Sequence, residues 1–154
     1  MAKPTRSRRH GRVREAPETG YASGPNDIVG VLYDSDVIIE ILRGRAAIIE
    51  AARELERSGV PTFCTAISWT EIFAGIRPGE EHPTLAFFEA RGEIALDGSV
   101  GRRAGAYLAR YAKSHGVQIA DALVAAAAVG SGLRLWTLNR KHYPMPEVAF
   151  YRAP

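Results

Sequence analysis

"VQIADALVAAAAVGSGLRLWTLNRKHYP" (residues 117–144) reads as a helix, a glycine-bearing turn, a strand and a polar turn, in that order. The helix spans residues 119–132 and carries alanine on so many positions that most of its faces must be packed closely. The strand, "RLWTLN" (134–139), delivers Asn139, Arg140 and Lys141 to its own end. Asp121 is the only charge between Ile119 and Leu133. An unpaired buried carboxylate costs several kcal/mol or shifts its pKa until it is neutral, so a cationic group is expected to meet it. Two readings stay open here: an aspartate at a helix N-terminus, favoured by the dipole, or a metal ligand.

The same alternation runs upstream. "IVGVLY" (28–33) is almost without polar residues, as a strand covered on both faces should be, and it ends at Asp34. "SDVIIEILRG" (35–44) and "RAAIIEAARELERSG" (45–59) have helical spacing and glycine stops. "VPTFCTAI" (60–67) is predicted as strand two and "SWTEIFAGIRPG" (68–79) as a helix opened by a Ser-x-x-Glu pattern. A further helix is expected over 80–92, a third strand over "EIALD" (93–97), a long helix over 99–116 and a last strand over "EVAFYR" (147–152). Strands alternating with helices define an α/β fold, a parallel sheet of four to five strands flanked by helices, with ligands beyond the carboxyl ends of the strands. Asp34, the Ser68–Glu71 turn, Asp97 and Asn139 all fall at that edge.

The chain of 154 residues, with 46% hydrophobic content, suits one domain. Its basic excess is local. Lys3, Arg6, Arg8, Arg9, Arg12 and Arg14 against Glu15, Glu18 and Asp27 supply the whole net charge of +3, so residues 1–29 are expected to form a basic, disordered extension ahead of a domain at 30–154. A single cysteine, Cys64, excludes a disulfide framework and a thiolate zinc site and fits a reducing compartment. Without a membrane-length apolar run or a signal-peptide core, the expected location is the cytoplasm.

Asp34 and Asp36 stand two residues apart at the end of strand one, and Asp34, nearest the strand, is the better ligand candidate; Asp36 is assigned to the first helical turn. Glu71 has a competing explanation, because Ser68-Trp69-Thr70-Glu71 has capping-box spacing. Hard oxygen donors without a histidine or thiolate cluster suit Mg²⁺ or Mn²⁺, ions that serve phosphate chemistry. Neither Gly-x-Gly-x-x-Gly nor the P-loop pattern occurs. "YDSDV" also fits the opening of haloacid-dehalogenase-like phosphatases, but their downstream lysine and acidic pair are not matched. His10, His82, His115 and His142 are scattered and read as surface or packing residues.

Four stretches, "VLYDSDVIIEILRG", "TAISWTEIFAGI", "EIALDGSVGRRAGAYLARY" and the opening segment, together resemble the PIN-domain ribonucleases, and among them the VapC-type toxins of type II toxin–antitoxin systems. The most specific is the Asp-Ala-Leu-Val-Ala-Ala helix followed by Thr-x-Asn-x-x-His-Tyr-Pro. The resemblance implies a three-layer PIN-like fold and a metal-dependent endoribonuclease. In it Asp34, Glu71 and Asp121 would hold Mg²⁺ or Mn²⁺, Asn139 would take the fourth catalytic position, and Ser35 and Thr137 would support the site through hydroxyl hydrogen bonds. RNA is the implied substrate, with Arg43, Arg140 and Lys141 as candidate backbone contacts. A cognate VapB-type antitoxin and a homodimer are the implied partners. The alternative is a PIN fold with weak catalysis that acts as a protein-binding module.

Overall fold

The computed structural model describes residues 29–154. In chain order it contains β1 (Val31–Tyr33), α1 (Ser35–Leu42), α2 (Ala46–Arg57), β2 (Thr62–Thr65), α3 (Ala66–Ala74), α4 (Glu81–Glu89), β3 (Gly92–Ile94), α5 (Gly98–His115), α6 (Ile119–Gly130), β4 (Arg134–Trp136) and a 3₁₀ turn (Arg140–His142). The expected extension over residues 1–29 lies, but for Val29, outside the described residues, as does His10.

β1 is covered on both faces, which is why its sequence is uninterrupted by polar residues: Val31, Leu32 and Tyr33 are each 0% exposed. Leu32 points into a core built with Val100, Ala104 and Tyr107 of α5, the α6 alanines and Leu135 of β4. Val31 and Tyr33 point the other way, toward Val37 and Ile38 of α1, Leu55 of α2, Phe88 of α4 and Trp136 of β4. The period-two alternation of a strand thus divides the apolar residues between two cores, one on each side of the sheet. The result is the expected three-layer α/β arrangement.

The sheet has four strands, all parallel, in the order β3-β2-β1-β4. After β1 the chain adds β2 and β3 on one side and then crosses to place β4 on the other. A crevice therefore opens beyond the carboxyl ends of β1 and β4, the switch point of the topology. Close strand packing at the opposite end depends on Gly30, where an added Cβ would lie 2.8 Å from the Phe63 ring and 2.9 Å from Leu133.

Several boundaries differ from the sequence reading. α3 begins at Ala66, two residues before Ser68, because Thr65 takes the extended N-cap conformation at the end of β2. Ser68 is therefore inside the helix, fully buried, and the expected Ser68–Glu71 capping box does not form. The expected last strand is reduced to one bridge, Leu135 with Phe150, supported by Leu135 N–H to Ala149 O (2.8 Å) and Tyr151 N–H to Leu135 O (2.9 Å). β4 stops at Trp136 because the next backbone donor, Leu138 N–H, is taken by the Asp36 carboxylate (3.0 Å).

Candidate active site

The crevice holds a cleft of about 470 Å³ lined by Asp34, Ser35, Asp36, Glu71, Asp121, Asn139, His142 and Tyr143 together with Ile39, Ile67, Ala120 and Val124. Four acids from three separate elements meet there. Each arrives by a different local device.

Asp34 is the N-cap of α1. Its Oδ1 accepts from the Ser35 N–H (2.8 Å), its own N–H donates to Trp136 O (2.9 Å), and its Oδ2 accepts from the Tyr143 hydroxyl (2.7 Å). Asp36 does more than serve the first helical turn: its Oδ2 accepts from Thr137 Oγ1 (3.2 Å) and from Leu138 N–H, tying α1 to the segment after β4. Burial, and after it the neighbouring Asp34 charge, raise the Asp36 pKa above the usual carboxylate value. Thr137, 4% exposed, also accepts from Asn139 N–H (3.0 Å), so this one hydroxyl shapes the turn that presents Asn139.

Asp121 occupies the first turn of α6, where its Oδ2 accepts from Gln118 N–H (2.9 Å). Its Oδ1 lies 3.6 Å from His142 Nδ1, and His142 Nε2 lies 3.0 Å from Asn139 Nδ2. The histidine read as surface or packing in the sequence is therefore beside the acids. Both open readings of Asp121 have substance: one oxygen caps the helix and the other faces the cleft group. Glu71 sits on the second turn of α3, exposed and on the cleft lining. Asp97 is absent from that lining; its Oδ1 accepts from Ser99 N–H (2.9 Å) and Val100 N–H (3.0 Å) as the N-cap of α5.

The three candidate cations differ in freedom. Arg140 folds onto the C-terminal segment, with Nη2 3.4 Å from Tyr151 O and its guanidinium 5.2 Å from the Phe150 ring centroid. Lys141 is exposed. Arg43 is exposed too, 3.9 Å from Glu40, and lines a second groove of about 230 Å³ that shares Ile39 and Glu71 with the acid cleft.

Tyr143, like His142, is a member that the sequence reading missed. It is 4% exposed, and burial followed by the Asp34 charge pushes its phenol far above the ordinary tyrosine value, so it remains a donor. The signal was available in the His-Tyr-Pro turn, but an aromatic there reads equally well as packing.

The donor set fits a hard divalent cation. Its oxygen donors are carboxylates, an amide and a serine hydroxyl, with one imidazole, His142, beside them, and two buried oxygens, Ser35 Oγ and Asp36 Oδ1, lack any hydrogen-bond partner. Among the described residues no three Asp, Glu, His or Cys side chains stand close enough together to hold a metal ion as they are placed. Mg²⁺ retains much of its water when bound, so part of its coordination shell needs no protein ligand.

The PIN domain family profile matches residues 31–150. Ribonuclease VapC10 of Mycobacterium tuberculosis is 35% identical over 121 residues, covering 76% of this chain and 88% of the relative. Ribonuclease VapC19 of the same organism is 31% identical over 115 residues, covering 74% and 92%. The chain belongs to the PIN-domain family, and its curated relatives place it with the VapC ribonucleases. Solved structures agree in fold. VapBC2 from Rickettsia felis, bound to a promoter DNA fragment, superposes with a TM-score of 0.67 at 15% identity over 79% of this chain and 96% of that one. FitAcB from Neisseria gonorrhoeae gives 0.61 at 25% identity over 80% and 97%.

Proposed function

We propose that the protein is a metal-dependent endoribonuclease, the toxin of a VapBC-type pair, which hydrolyses RNA phosphodiester bonds at the acidic crevice. The observation that carries this reading is the convergence of Asp34, Glu71 and Asp121 with Asn139 on one cleft at the switch point of the sheet. These acids come from the N-cap of α1, from α3 and from α6, and share no local reason to meet.

Asp34, Glu71 and Asp121 would hold Mg²⁺ or Mn²⁺, with Asn139 as a neutral fourth donor. When bound, such an ion polarises a phosphoryl oxygen and lowers the pKa of a coordinated water. The chain's own part is to fix the carboxylates. Ser35 N–H and Tyr143 hold Asp34, Gln118 N–H holds Asp121, and Thr137 sets the turn that carries Asn139. Without a counter-ion the acids repel a phosphodiester, so RNA binding must follow cation binding or rely on basic side chains at the rim. Lys141 and Arg43 are exposed for that contact, and Arg140 reaches it only by leaving Tyr151 and Phe150.

The VapBC complexes among the structural relatives favour an antitoxin as the natural partner of this chain. A homodimer acting in the cytoplasm completes the reading; among the described residues no helix is long and apolar enough to cross a membrane. The test is cleavage of total cellular RNA by antitoxin-free protein with Mn²⁺ or Mg²⁺, beside EDTA and Asp34→Ala, with cut sites mapped by end sequencing. Discrete cuts lost in both controls are expected. Cuts that persist in Asp34→Ala would remove this cleft from the chemistry. Metal binding without cleavage of any RNA would favour the protein-binding module.

A further inference from the structure

The hydroxyl of Tyr143 has no packing role. The ring belongs to the core on the α5 and α6 side, with Met145 and Val148, and a phenylalanine would fill the same space. The hydroxyl is nonetheless buried and spends its proton on one atom, Asp34 Oδ2, at 2.7 Å. A buried O–H is costly unless it is hydrogen-bonded, and the partner this one has is the acid nearest the end of the central strand.

Asp34 is consequently fixed at both carboxylate oxygens, Oδ1 by Ser35 N–H and Oδ2 by Tyr143, while its backbone is tied to Trp136. Rotation about its terminal torsion would break one hydrogen bond or both. Each oxygen keeps a further lone pair for the cleft. Glu71, by contrast, is exposed and has no such restraint among its hydrogen bonds in the described structure. Tyr143 also comes from the turn after β4, so the contact crosses the switch point, over 109 residues of chain.

We infer that Tyr143 is a positioning residue of the metal centre: its hydroxyl holds Asp34 in the orientation that receives the cation, and acts on catalysis only through that carboxylate. The inference rests on the metal-nuclease reading of the cleft. Second-sphere partners of ligating carboxylates set affinity in the range of tenfold to a hundredfold. The positioning here is done by a neutral donor, so it lowers the ion's affinity when lost without changing the charge of the site.

The experiment is calorimetric titration of Mn²⁺ into wild type, Tyr143→Phe and Asp34→Asn, followed by RNA cleavage across a Mn²⁺ series. Tyr143→Phe is expected to weaken Mn²⁺ binding on the order of tenfold. Its metal-free melting should stay close to wild type. Its maximal cleavage rate and its KM for RNA should return to the wild-type values once Mn²⁺ is saturating, whereas Asp34→Asn should not be rescued. Wild-type Mn²⁺ affinity in Tyr143→Phe would overturn the inference, and so would weakened binding whose cleavage defect persists at saturation. A wild-type protein that binds no Mn²⁺ would overturn the metal reading itself, a result separate from either of these.

Discussion

Asp36 shows how a single carboxylate couples the site to stability. Its pKa is raised chiefly by burial and secondly by Asp34, so in the metal-free protein the folded state holds its proton to higher pH than the unfolded chain does. The folded state then binds more protons, and stability falls as pH rises from the ordinary carboxylate range through the raised value. Asp36→Asn keeps an oxygen that can accept from Thr137 and Leu138 but removes the titration. Urea midpoints measured in EDTA from pH 4 to 8 should lose part of their downward slope in this variant; an unchanged slope would mean that other groups carry it. Cys64 is a simpler case. Burial pushes its thiol up to about 12, which predicts no reaction with a thiol reagent at neutral pH until the protein unfolds. Prompt labelling of native protein would contradict the closed core around it.

At the scale of elements, α6 is the piece that brings an acid to the site while being buried almost everywhere else. Ala122, Ala125, Ala126 and Ala127 are each 0% exposed, and Ala128 is 1% exposed. Small side chains let α6 lie close against α5 and the sheet, which fixes the height of Asp121 relative to Asp34. Ala126→Leu should therefore cost about 1–3 kcal/mol in denaturant unfolding through overpacking. It should also weaken metal binding although the substitution is not in the cleft; full stability in this variant would show slack between the helices. The segment after β4 is held by a different device. Thr137 and Asp36 replace ladder bonds with side-chain bonds, so Thr137→Val should disorder the Asn139 turn while leaving the strands intact. Amide exchange at Leu138 and Asn139, faster in the variant than in wild type, would report it.

The described residues form a sheet with a core on each face, and the crevice beyond β1 and β4 carries clustered negative charge. Such a cluster opposes folding through repulsion, and a cation that binds only the folded state relieves it. Mn²⁺ at a hundred times its dissociation constant should add roughly 2.7 kcal/mol to wild-type stability by linkage. The gain should be much smaller in Asp121→Asn and should vanish with EDTA. A full metal shift in Asp121→Asn, read by thermal melting, would take Asp121 out of the ligand set.

The order of the main elements and their parallel sheet were determined by sequence, because each depends on local quantities: apolar runs of strand length, helical spacing, and, for Asp121, a charge placed where alanine surrounds it. Asp34 and Asp121 could be singled out on those grounds, and both line the cleft. Glu71 could not be separated from a helix cap until β2 was seen to end in Thr65, which moves the start of α3 upstream and leaves Glu71 free of the cap. Tyr143, His142 and the bridging role of Asp36 were decided only by the tertiary structure. Their partners lie far along the chain, Tyr143 and Asp34 being 109 residues apart, and a hydrogen bond between such residues leaves no periodic trace. Composition and spacing record what a segment does for itself; the switch point of the sheet, where β1 and β4 become neighbours, records what distant segments do for one another.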